Sequence, residues 1–134
     1  MHQIDAEIPQ PGGMLIDRKN GGSALAVPTT LSGAVTGIRN VDRVITGHGS
    51  VVTWETFVDY RDFHKLALAH AQAQFAAGKS AEQALVAFNP PAKYKDWRYG
   101  QPGSTPPPAG SVPAGIRTAP PGGYFASIYG ELTR

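Results

Sequence analysis

The chain has 134 residues, of which 16 are glycine, 12 are proline and none is cysteine; 41% are hydrophobic. An average composition gives about 16 Gly plus Pro at this length, so the excess is real but short of a collagen-like or low-complexity chain. The length suits one domain, and the absence of cysteine excludes disulfide frameworks, Cys-ligated zinc, iron–sulfur clusters and thiol nucleophiles. Twelve Lys+Arg against ten Asp+Glu leave a net charge of +2 that is not gathered into a patch, so no nucleic-acid partner is expected. No apolar run is long enough for a membrane span. Met1–Pro9 carries Asp5 and Glu7, where a signal peptide is basic and then apolar.

Residues 1–99 read as the folded part, with an ordered core over about residues 28–89. Met1 to Val27 is loop-like, punctuated by Pro9, Pro11, Gly12-Gly13 and Asn20-Gly21-Gly22, with room only for a short strand at Met14-Leu15-Ile16. Thr29 or Thr30 caps a short helix whose Leu31, Ala34, Val35 and Ile38 follow i, i+3, i+4, i+7 spacing, and Asn40 stops it. Val41 to Thr46 is a short β-branched strand ending in Gly47-His48-Gly49. Thr53 caps the longest element, Trp54 to about Ala77. Its apolar stripe holds Phe57, Tyr60, His64, Leu68, Ala71 and Phe75, with Asp62, Lys65 and Gln72 away from it. Gly78 ends this helix. Ser80-Ala81-Glu82-Gln83 is a capping box for a second one that buries Ala84, Leu85 and Phe88 and stops at Asn89-Pro90-Pro91.

Beyond Ala92 the pattern weakens. Tyr94, Trp97 and Tyr99 alternate with Lys93, Lys95 and Arg98, a mix better suited to packing against a missing domain than to stacking on single-stranded nucleic acid. Gly100 to Gly123 holds 7 Pro and 6 Gly in 24 residues and reads as an irregular linker. Residues 124–134 are apolar again, through Tyr124, Phe125, Ile128 and Leu132, and form a terminal segment that needs a platform to dock on. The reading therefore contains one visible strand, two firm helices and two docking segments. A single strand cannot satisfy its own backbone groups, which points to part of a larger fold.

The one site-like motif is Val44-Ile45-Thr46-Gly47-His48-Gly49-Ser50. Flanking glycines allow a tight turn and clear space around the imidazole, and the end of a strand is where open α/β sheets place ligands. His48 is the candidate metal ligand. No complete site is visible beside it: a catalytic zinc needs three protein ligands. The other histidines are His2, His64 and His70, and the last two lie about 240° apart around a helix. His64 reads as a boundary histidine and His70 as solvent-facing. Asp17 and Asp42 read as turn and strand-edge residues. Ser23 and Ser50 lack a nucleophile's partners, and Asn20-Gly21-Gly22-Ser23 reads as a turn rather than a phosphate loop.

The ordered series Asn20-Gly21-Gly22-Ser23, Thr30-Leu31, Val41 to Gly49, Thr53-Trp54, Tyr60, Phe63 and Ala77-Gly78-Lys79-Ser80-Ala81-Glu82 resembles the C-terminal part of metallo-β-lactamase-fold (MBL-fold) hydrolases. The resemblance covers roughly Leu15 to Phe88, with Tyr94 and Ile128 to Leu132 as weaker echoes. It implies an α/β fold, the C-terminal portion of an αββα sandwich, with His48 as a ligand of the second metal in a one- or two-zinc site. The family's principal signature, His-x-His-x-Asp-His, is absent, as are its middle His ligand and its Gly-Asp carboxylate. The expectation is thus part of a zinc-dependent hydrolase that attacks an ester, amide, thioester or phosphodiester with water. The chain alone is expected to be inactive, with weak or absent zinc binding, and to be completed by the missing N-terminal half or by an oligomer partner. The alternative is a non-enzymatic interaction or oligomerisation module that uses the helix over residues 54–77.

Overall fold

A computed structural model describes residues 2–4, 16–46, 51–94, 97 and 123–134. Among them the fold is mixed α/β and mostly helical, with β1 (His2–Ile4), α1 (Val27–Gly37), β2 (Arg43–Thr46), β3 (Val52–Thr53), α2 (Trp54–Ala76), α3 (Ala81–Ala87) and α4 (Gly123–Leu132).

The sheet corrects the expectation of a lone strand. Its order is β1-β2-β3, with β2 in the middle. β1 runs parallel to β2, matching His2 with Val44 and Ile4 with Thr46. β3 runs antiparallel to β2, matching Arg43 with Thr53 and Val44 with Val52. Backbone groups of β2 are therefore engaged on both sides. The loop-like reading of Met1 to Val27 missed β1 because three residues carry no usable period, and their partner lies some forty positions downstream. Met14 and Leu15 lie outside the described residues.

Helix α1 starts earlier than Thr29 or Thr30 would allow. Ala26 is its N-cap and supplies no side-chain bond, and Pro28 sits in the first turn, where its missing N–H costs nothing. Thr29 and Thr30 are exposed on that turn rather than capping it. The helix ends at Gly37, so Ile38 is an extended cap residue, and Asn40 adopts φ 57° on the way to β2, a left-handed conformation that Asn tolerates well.

Helix α2 is the spine. Thr53 caps it by accepting from the Thr56 N–H at 3.1 Å, and the Trp54 N–H donates to the Asp42 carbonyl at 2.9 Å, tying its start to the strand before it. Gly78, at φ +74°, turns the chain beyond its end. The capping box at Ser80 is complete: Ser80 accepts from the Gln83 N–H and Gln83 accepts from the Ser80 N–H. The buried stripe is Phe57, Tyr60, Phe63, His64, Ala67 and Ala71. Leu68 and Phe75, expected within it, are half-buried, while Phe63 and Ala67 replace them at its centre because α2 is packed by α1, α3 and α4 together.

The two docking segments find their platform inside this chain. Tyr94 is 1% exposed and, with Trp97, packs on Phe63 at ring distances of 5.1 and 5.2 Å. It covers α2 and not a missing domain. Lys93 adds an exposed salt bridge to Asp59 at 2.8 Å. The terminal segment is a helix that begins one residue earlier than expected, at Gly123, and seats Tyr124, Phe125 and Ile128 in the core. The rest of the expected linker lies outside the described residues.

On the sheet, Val44 is fully buried and its partner Val52 packs on the same core. Side chains alternate across a strand, so Ile45 points to the opposite face, where it is 40% exposed. Val51 is exposed as well. All four helices described lie with the Val44 core.

Candidate functional site

The candidate site is the end of the sheet at which β1 and β2 both finish. Two parallel strands release their chains at the same end, and the register places Ile4 beside Thr46 there. The chain leaves β2 at Thr46 and returns at Val51 to enter β3. Residues 47–50, and with them His48 and Ser50, lie outside the described residues. What is fixed is the frame: a central strand, a parallel neighbour, a short return strand, and α2 anchored through Asp42 and Thr53.

The other sequence candidates are placed elsewhere. Asp17 builds the turn over Arg18–Asn20: its carboxylate accepts from the Lys19 N–H at 3.1 Å and the Asn20 side chain at 2.7 Å. The Gly22 N–H donates to the Asp17 carbonyl at 2.8 Å, and a side chain at Gly22 would meet that oxygen at 2.7 Å. This is the turn role expected of Asn20-Gly21-Gly22-Ser23. Asp42 serves through its carbonyl at the edge of β2.

Both described helix histidines depart from expectation. His64 is 1% exposed, not a boundary residue. The Tyr60 and Tyr124 rings stand nearly perpendicular to it at 4.4 and 4.9 Å. Burial lowers its pKa from the usual 6.5 to about 3, so it is neutral at physiological pH. Its depth comes from α4, an element too remote in sequence to be anticipated from the α2 pattern. His70 is half-buried, not solvent-facing: its Nε2–H donates to the Ala84 carbonyl at 2.8 Å, and its ring lies 5.3 Å from Phe88. It joins α2 to α3.

One polar cluster had no signal in the local sequence. Glu131, near the end of α4, accepts from the Ser23 hydroxyl at 2.7 Å and from the Ala24 N–H. The Arg18 guanidinium donates to the Gly130 carbonyl at 3.2 Å, and the buried Tyr124 hydroxyl donates to the Ala24 carbonyl at 2.8 Å. Burial pushes the Glu131 carboxyl up, but bonds from Ser23, Ala24 and Leu25, with Arg18 nearby, hold it below the usual range. The hydroxyl of Ser23 is thereby engaged as a structural donor. A Ser followed by a helix start, and a Glu in an apolar terminal segment, are the only traces of this pairing in the sequence.

Among the described residues no group of three or more His, Cys, Asp or Glu side chains comes together to hold a metal ion. Those residues by themselves do not fit a zinc centre. Nor is any described helix long and apolar enough to cross a membrane. No family model matches the chain, and no curated protein or solved structure matches it either.

Proposed function

We propose that this chain is the C-terminal part of an MBL-fold, metal-dependent hydrolase, inactive alone, in which His48 supplies one zinc ligand. The complete fold would hydrolyse an ester, amide, thioester or phosphodiester, with the remaining ligands donated by an N-terminal half or by an oligomer partner. The observation that carries the reading is the frame around residues 47–50. β2 ends at Thr46 beside the carboxyl end of a parallel strand, Gly47-His48-Gly49 comes next in the sequence, and β3 and the long α2 follow. That order matches what the ordered motifs resemble. The face named for the alternative, an interaction module on α2, is occupied: Phe57 is fully buried, and Phe75 lies against Tyr129 at 5.3 Å.

The decisive test reads the coding DNA upstream of the first codon. An in-frame His-x-His-x-Asp-His is the expected result; an in-frame stop codon directly upstream, with a ribosome-binding site, overturns the fragment reading. Zinc titration of the purified chain follows, with no tight binding expected. If the upstream segment is present, the longer protein binds zinc, and His48→Ala weakens it by more than about 10-fold, the smallest effect seen even for outer-shell partners. Unchanged zinc affinity in that variant removes His48 from the site. Micromolar binding by the short chain, abolished by His48→Ala, assigns the completing ligands to an oligomer partner.

A further inference from the structure

We propose that α4 is a clamp loosened by mild acid, with His64 on α2 as the sensing group beneath it. The geometry sets two anchors along one helix. At its start, Tyr124 is fully buried, stands edge-on to the His64 ring at 4.9 Å and donates to the Ala24 carbonyl. Two turns later, Glu131 grips Ser23 and Ala24 while Arg18 holds the Gly130 carbonyl. Between them, Phe125 and Ile128 are fully buried, Phe125 lying 5.4 Å from Phe88.

The imidazole is covered from α2 by Tyr60 and Phe63 and from α4 by Tyr124. Among the described residues, the titratable groups whose rings face it are the Tyr60 and Tyr124 phenols. Burial, then the charges of Tyr60 and Glu131, push the Tyr124 phenol up, so it stays neutral. The charged groups of the α4 contact, Glu131 and Arg18, sit at the other anchor. Lifting α4 removes the Tyr124 side of the enclosure and gives the imidazole access to water. Its proton affinity then returns toward the ordinary value.

The sign follows from linkage. His64 binds a proton more readily in the released form, so release is favoured as pH falls below about 6.5, by up to about tenfold per pH unit for one linked proton. Glu131 acts in the same direction but later: its carboxylate is held below the usual range when docked, so its protonation favours release only at the acid end. Between pH 6.5 and 5 the slope is assigned to His64; the other described imidazole under α4 is His70, whose ring lies 6.1 Å from Phe125, and His64→Gln separates the two.

The test is amide hydrogen exchange on the full chain from pH 7.5 to 5.0, corrected for the intrinsic pH dependence of exchange. The peptide over residues 123–134 is compared with one over the first turns of α2. Protection of α4 is expected to fall steeply below pH 6.5, approaching tenfold per unit, while the α2 peptide changes less. Protection of α4 that is independent of pH, or that falls in step with α2, overturns the proposal. His64→Gln should flatten the slope, and Glu131→Gln should lower α4 protection at every pH while keeping the slope. A slope unchanged in a folded His64→Gln overturns it too. If that variant does not fold, the wild-type imidazole is followed by NMR: a ring that titrates near 6.5 while α4 stays protected refutes the clamp.

Discussion

Around α2 the chain supplies both an apolar surface and the pieces that cover it, whereas around β2 the described residues cover one face only. On the helical side Phe57, Phe125, Ile128 and Tyr124 are fully buried, and α1, α3, α4, Tyr94 and Trp97 all press on the same spine. On the sheet side β1 and β3 are both edge strands among the described residues, and Ile45 and Val51 face outward. The contrast teaches where self-sufficiency ends. Cores close when remote segments return to cover them, and here the remote segment is α4; among the described residues no such segment returns to the outer face of the sheet.

The largest effect should come from breaking the closed side. Phe125→Ala removes a fully buried ring that meets Phe88 and His70, and a cost of about 3–5 kcal/mol is expected from urea unfolding. A cost below about 1 kcal/mol would show that α4 contributes little to the core and would erase the contrast between the two sides. Acid should weaken the same side next. His64 carries a folded pKa lowered by burial to about 3 against 6.5 unfolded, so its contribution is complete above 6.5 and is lost as pH falls through the window between them. Going from pH 7 to 5 should therefore remove about 2 kcal/mol of stability. The drop should shrink by more than half in His64→Gln, measured by urea midpoints at the two pH values.

A smaller loss is expected at the local signals. Ser80→Ala removes the bond that Ser80 accepts from the Gln83 N–H, which is one half of the capping box, at about 1 kcal/mol. That size separates what was legible in the sequence from what was not. Thr53, Gly78 and Ser80 could be read directly, because a cap or a C-terminal glycine involves groups within four residues of one another. The burial stripe was legible in direction but not in detail: Phe63 and Ala67 displaced Leu68 and Phe75 because three other helices set its centre. β1 was illegible, since three residues without a period pair with β2 only through the fold. Glu131 was illegible for the same reason in stronger form, its partner Ser23 lying 108 positions away. His48 was legible as a residue type between two glycines; it lies outside the described residues, which place the strands before and after it.

The smallest effect on stability should lie on the open face, and there its smallness is informative. Ile45 is 40% exposed beside buried Val44, so Ile45→Glu should change the urea midpoint by no more than about 0.5 kcal/mol, as for other surface sites. If the face is where the rest of an MBL-type sandwich sits, a charge there carries a second consequence. A buried, unpaired carboxylate is expensive, so the variant should fail to assemble with the N-terminal segment or partner that completes the wild-type fold, as read by co-purification and sedimentation. A chain that loses stability as strongly as Phe125→Ala would mean that Ile45 is covered from within, making both sides of the molecule closed. Undiminished stability together with undiminished assembly would leave the sheet face an ordinary solvent surface and would remove it as the place where a completing segment docks.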